Sequence, residues 1–346
     1  MKGLGSYFDE SCVRHGARTA LVIDGRSYTY AELDRAADVI ADRLHREIEG
    51  GEIVAFTCRK QFSTYASLLG ILRAGKAYLP VRHEDPRTAM ILEQAGVQVL
   101  LGGEEEAKPL VTGDITWIDT AIDGSDDSKA PIEGTELQRS ELAYLLFTSG
   151  STGIPKGVPI GHAQATAYVD HVLKLLDPSP SDRASQFFDL TFDLSVHDLF
   201  VTWAAGAALC VPAPKDLLKP AQFLRNERIS MHFSVPSLAV LMERSGQLRP
   251  DTFPDLRTSA FCGEALPITL ADNWRLAAPN ARIWNLYGPT ETTIAIMSME
   301  LGGPIPGHAG IVSIGTPFPG HAASVVDDVG LPADEGELIA SGPQVA

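Results

Sequence analysis

Thr148, Ser149, Gly150, Ser151, Thr152, Gly153, Ile154, Pro155, Lys156 and Gly157 set four hydroxyls, three glycines and one lysine directly behind the apolar run at 142–147. Glycines let successive backbone N–H groups converge on an anion with no Cβ in the way. The hydroxyls add donors, Lys156 supplies mobile positive charge, and Pro155 stiffens the approach. Such a set can grip a chain of phosphates. A flexible Ser/Gly turn is the plain alternative, but a turn has no use for so many hydroxyls or for a lysine set behind a proline. Gly157 follows the lysine where the P-loop motif needs Ser or Thr, so that motif is excluded.

Three further segments carry groups that could share such a site. Asn285, Leu286, Tyr287, Gly288, Pro289, Thr290 and Glu291 follow an apolar strand pattern, and ligands in open α/β sheets sit beyond the carboxyl ends of strands. Tyr287 offers a flat face to a base and Asn285 a donor–acceptor pair to its edge. Thr290 can bond a phosphoryl oxygen and Glu291 can hold magnesium. The plain alternative is a strand-to-loop turn with a solvated glutamate. Asp193 opens a helical pattern, where capping alone would explain it, although a carboxylate there can equally face a cleft. Gly263, Glu264 and Ala265 follow a strand ending at Cys262, and their glycine also suits an ordinary turn. Residues 336–342 carry no nameable chemistry.

The elements that must position these groups alternate. Thr29 and Glu32 form a capping box ahead of Leu33, Ala37, Ile40, Leu44 and Ile48, one apolar helix face. Strand patterns at 53–58, 78–81, 97–101, 142–147, 208–211, 231–235, 258–261 and 282–286 alternate with helical ones at 62–74 and 86–95 and beyond. That rhythm predicts parallel sheets covered on both faces. Residues 102–140, with Glu104, Glu105 and Glu106, residues 123–128 and only a short strand near Trp117, read as a solvated excursion. The expected layout is a first α/β subdomain over about 52–160, ending in the phosphate loop. A second takes about 15–50 and 161–300, and a partial, barrel-like β unit takes 301–346. The chain's 346 residues, 45% of them apolar, suffice for such cores. A formal net charge of −16 disfavours nucleic acid. No apolar run is long enough for a membrane span, and a cytoplasmic protein is expected. The four scattered cysteines suit neither a disulfide framework nor a zinc site; buried free thiols are expected, with Cys262 the one held open.

Residues 147–157 resemble the signature loop of the adenylate-forming superfamily, which holds nonribosomal peptide adenylation domains, acyl-CoA synthetases and luciferases. Residues 285–293 are similar to its adenine and magnesium segment, and 263–265 to the segment packed beside adenine. The resemblance implies that ATP and magnesium are used, with Thr148–Lys156 on the leaving phosphates and Thr290 and Glu291 at the α-phosphoryl group. Asp193 stands where amino-acid-activating members accept the substrate's α-ammonium group. The matching side-chain pocket would be Leu194, His197, Phe233, Ala260, Cys262, Leu286, Ile294 and Ala295. Each of these has a core-packing alternative. The set is uncharged unless His197 is protonated, so a small or medium uncharged amino acid is expected, because burying an unpaired charge is costly. The implied sequel is transfer to the phosphopantetheine thiol of an acyl or peptidyl carrier protein.

The same resemblance implies a ribose-binding aspartate, a hinge and a C-terminal lid with a catalytic lysine beyond Ala346, and impaired adenylation without them. Two other readings stay open. An acyl- or aryl-CoA synthetase has no need of Asp193, and a nucleotide-binding scaffold would perform no chemistry.

Overall fold

The computed structural model describes residues 2–47, 51–121, 140–149 and 153–346. Two sheets with helices against them form a mixed α/β architecture. In the six-stranded sheet the order is Thr116–Asp119, Val99–Gly102, Ile53–Thr57, Ala77–Val81, Leu142–Ser149, Pro155–Gly161. All neighbours are parallel except the last pair. Ala77–Val81 and Val99–Gly102 bury every residue, as strands covered on both faces must. The nine-stranded sheet runs Thr316–Pro317, Met297–Glu300, Arg282–Tyr287, Thr258–Phe261, Met231–Ser234, Arg183–Ser185, Ala208–Cys210, Thr19–Ile23, Arg26–Thr29. Its central six strands are parallel and its edges antiparallel.

The capping box forms as the sequence predicts. Thr29 N–H donates to Glu32 Oε2 at 2.7 Å and Glu32 N–H donates to Thr29 Oγ1 at 3.2 Å, starting the helix Tyr30–Glu47. Leu33, Ala37, Ile40 and Leu44 are buried on its inner face; Ile48 lies outside the described residues. That face meets the helix Phe62–Arg73 at Gly70, where a Cβ would come within 2.6 Å of Ile40 Cβ and 2.8 Å of the Ala37 carbonyl. At the end of the same helix, Arg73 reaches Asp9, Asp34 and Asp38 at 2.6, 2.7 and 2.6 Å. The first helix belongs with the nine-stranded sheet and the second with the six-stranded one, so this contact joins the two.

One expectation is corrected. The short strand expected near Trp117 forms as the edge strand Thr116–Asp119, but residues 102–140 are not otherwise wholly a solvated excursion, since Glu104–Ala107 is a helical turn. Glu106 is buried, accepting Thr57 Oγ1 at 3.1 Å and Arg59 Nη1 at 3.1 Å. A charged run cannot reveal in advance which member finds a partner; residues 123–128 lie outside the described residues. Over residues 301–346 no closed barrel forms. Thr316–Pro317 joins the large sheet, and the hairpins Gly307–His308/Ile311–Val312 and Ala322–Val326/Glu337–Ser341 are two-stranded. Cys58, Cys210 and Cys262 are buried free thiols, while Cys12 is only partly buried. No helix among the described residues is long and apolar enough to cross a membrane.

Gly70→Ala sets two effects against each other. Alanine favours a helix by about 1 kcal/mol over glycine, whereas overpacking a tight contact costs about 1–3 kcal/mol. A gap of 2.6 Å decides for the second. Gly70→Ala is expected to lower the urea midpoint of unfolding; an unchanged or raised midpoint would show that the two helices do not pack this closely.

Candidate active site

Thr148 pairs with Lys156 and Ser149 with Pro155 across an antiparallel hairpin. Gly150, Ser151 and Thr152 lie outside the described residues. Gly153 has φ +78°. Lys156 is exposed on the returning strand, and Thr148 Oγ1 donates to its carbonyl at 3.5 Å. A cleft of about 420 Å³ opens beside this hairpin. It is lined by Phe147, Thr148 and Pro155, by Thr191, Phe192 and Asp193, by Thr290, and by Arg82, Asp85, Arg87 and Thr88 from the six-stranded sheet's side. Residues separated by more than a hundred positions thus share one space. Phe192 is 60% exposed, unusual for so large an apolar ring and explained by its place on the cleft wall.

Asp193 precedes the helix Leu194–Ala204 without capping it through its side chain. Burial pushes its carboxyl above the usual aspartate range, opposed by the Thr290 hydroxyl and the Leu194 and Ile294 amides. A carboxylate held this way is poised for a cation, which would relieve the cost of desolvation. Thr290 begins a single 3₁₀ turn, Thr290–Thr292, after the strand Arg282–Tyr287. Gly288 lies between them, where a Cβ would come within 2.6 Å of Ala295 Cα; only glycine lets the chain fold back so closely. Tyr287 is 37% exposed, leaving its ring open to a ligand, and Glu291 faces solvent.

The pocket residues expected from sequence are buried. Leu194, Phe233, Ala260, Cys262, Leu286, Ile294 and Ala295 belong to a single buried cluster. The register aligns Phe233 with Ala260 across adjacent parallel strands. His197 lies against Phe233 with ring centroids 4.1 Å apart, and its Nδ1 shares a 2.7 Å hydrogen bond with the Tyr168 hydroxyl. The possibility of a charged His197 is removed: burial pushes its pKa down to about 3, so the ring is neutral. Burial pushes the Cys262 thiol up to about 12, with Asp193 adding to the shift, so it is a protonated wall residue and not a nucleophile.

Successive side chains of a strand alternate faces, so Asn285 points away from Leu286. It is buried, and its Nδ2 donates to the Ser313 carbonyl at 3.0 Å, which uses one of its two amide hydrogens. Beyond Gly263, whose φ is +86°, Glu264 takes the Ser237 N–H at 2.9 Å and its Oγ at 3.0 Å. That closes the start of the helix Pro236–Arg244, where an anion is favoured; Ala265 follows.

Sequence reasoning did not single out Lys60, Tyr168 or Gln344. Lys60 Nζ donates to the carbonyls of Gln186 and Phe187 at 2.8 and 3.0 Å, tying the loop that leads to Asp193 to the six-stranded sheet. No local pattern marks such residues, because their partners are remote in sequence.

The chain matches the family model described as AMP-binding enzyme over residues 8–346. It is 29% identical to an L-proline--[L-prolyl-carrier protein] ligase of Pseudomonas fluorescens, spanning 100% of this chain and 73% of that protein. The crystal structure of IdnL7 superposes with a TM-score of 0.88 at 34% identity, over 99% of this chain and 72% of that one. The Vibrio cholerae adenylation domain AlmE, solved with glycyl-adenosine-5'-phosphate, gives 0.85 at 26% identity, over 99% and 71%. With a match along nearly the whole chain and relatives that share both sheets, this chain belongs to the AMP-binding enzyme family.

Proposed function

We propose that this chain carries the ATP- and amino-acid-binding core of a ligase that activates a small or medium uncharged amino acid as its adenylate. The product would pass to the phosphopantetheine thiol of an acyl or peptidyl carrier protein. The convergence of Thr148, Asp193 and Thr290 on one cleft carries this reading. A phosphate-gripping strand end, a carboxylate for an ammonium group and a hydroxyl for a phosphoryl oxygen are what such a reaction needs side by side. The relatives' names, a prolyl-carrier ligase and a domain bound to a glycyl adenylate, support an amino acid and a carrier.

In the reaction a substrate carboxylate oxygen bonds to the α-phosphorus of ATP while the bond to the β-phosphate oxygen breaks, and pyrophosphate leaves. Alignment and charge stabilisation supply most of the catalysis. Asp193 fixes the ammonium group and so aims the carboxylate. Thr148, Ser149, Gly150, Ser151, Thr152, Gly153 and Lys156 hold the leaving phosphates, and Thr290 steadies the α-phosphoryl oxygens. The open ring of Tyr287 stacks on adenine, with the backbone of 263–265 opposite. Exposed Glu291 fits magnesium, which needs only one or two carboxylates beside phosphate and water; when bound, the ion neutralises phosphate charge. The candidate pocket residues are uncharged, which supports a small or medium uncharged side chain.

Amino-acid-dependent ATP–pyrophosphate exchange tests the reading. Exchange is expected with a small or medium uncharged amino acid and not with benzoate or fatty acids; the opposite result would sink it in favour of an acyl- or aryl-CoA synthetase.

Asp193→Asn keeps the shape and removes the charge. Loss of a charge-assisted bond of up to about 3 kcal/mol is expected to raise the amino-acid KM by about 100-fold, with the KM for ATP within about threefold.

Because burial raises the Asp193 pKa, ammonium binding needs the deprotonated form and must weaken as pH falls through that raised value, at a higher pH than for an ordinary aspartate. His197, already neutral above about pH 3, adds no step near an ordinary histidine pKa. A KM profile with an inflection near 6.5 that vanishes in His197→Asn would contradict this.

A further inference from the structure

The backbone just past Thr290 is strained. Thr293 has φ +57° and Ile294 φ +73°, both β-branched residues in a region that normally suits glycine. Each such residue costs on the order of 1–3 kcal/mol and persists only where its surroundings hold it. Both are buried, and their turn separates Thr290 and Glu291 from Ile294 and Ala295.

What holds the turn comes from some fifty residues downstream. Gln344 is completely buried. Its Nε2 donates to the Ala295 carbonyl at 2.7 Å and also faces the carbonyls of Thr293 and Thr292 at 3.3 and 3.4 Å. The Gln344 carbonyl accepts the Thr293 hydroxyl at 2.6 Å. Two residues on, Ala346 N–H donates to the Glu291 carbonyl at 2.9 Å. One amide thus collects the carbonyls that a strained turn points inward, which would otherwise be buried without partners.

We propose that Gln344 is a positioning residue for the active site, clamping the 292–295 turn. Through that turn it sets where Thr290 and Glu291 meet the phosphate, and where Ile294 and Ala295 meet the substrate side chain. It lies behind the turn and acts only through it. Its effect on substrate choice rests on the proposed adenylation; the clamp itself does not.

The test uses Gln344→Met, which keeps the volume and removes the donors, with Gln344→Glu as a second variant that keeps the shape but has no amide hydrogens. Hydrogen exchange followed by mass spectrometry reads the clamp. Amides of 292–296 are expected to exchange at least about tenfold faster, the equivalent of about 1.4 kcal/mol, while Arg282–Tyr287 keeps its protection. Pyrophosphate exchange reads the consequence: the ratio of kcat/KM between the best and the next-best amino acid should fall about tenfold. A merely structural role would lower the amount of folded protein without moving that ratio. Adding Thr293→Gly to Gln344→Met should restore much of the ratio, since glycine carries positive φ without penalty. Unchanged protection at 292–296, protection lost evenly over the whole nine-stranded sheet, or an unchanged ratio would each overturn the proposal. Wild-type protein showing no amino-acid-dependent exchange would count against the adenylation reading, and hydrogen exchange would still decide the clamp.

Discussion

The contact of two helices at Gly70 governs how the two sheets face one another. With no side chain at that point, Ile40 and Ala37 seat directly on the opposing backbone, and Arg73 anchors three aspartates around the same seam. Every functional group discussed above depends on that seam. Thr148 and Arg82 come from the six-stranded side, Asp193 and Thr290 from the nine-stranded side, and their cleft exists only while the sheets keep this spacing. Lys60 reinforces it at the mouth of the Asp193 loop by bonding two carbonyls of the opposite sheet.

Burial sorts the titratable groups of the candidate site. The same desolvation lifts Asp193 and Cys262 and depresses His197, because each is driven toward its uncharged form. Only Asp193 has hydroxyl and amide donors opposing the shift, so it alone is kept ready for a cation. The rest of the wall is neutral and closely packed, so a charged side chain would enter at high cost. The acidic surface of the whole chain, −16 in formal charge, makes the local positive groups matter more for holding phosphates.

Local physics was legible in the sequence. The Thr29/Glu32 box and the buried strand runs each follow from neighbours within a few residues, where period and capping chemistry act. Asn285 shows where that reading stops: its type offered an edge for a base, and only packing shows that the Ser313 carbonyl takes one of its two amide hydrogens. Glu106 failed in the other direction, reading as solvated while tertiary packing gave it Thr57 and Arg59.

By itself, then, the sequence determined the alternation of helices and strands, the chemistry of the phosphate-loop residues and the apolar character of the pocket positions. These depend on side-chain type and on spacing along one element. Tertiary structure alone decided which groups are free to act. Asp193 stands beside Thr290, His197 is neutral, Asn285 lends one hydrogen to the Ser313 carbonyl, and Gln344 lies against a turn fifty residues away. Those outcomes depend on desolvation and on partners brought together by packing, which no local pattern encodes.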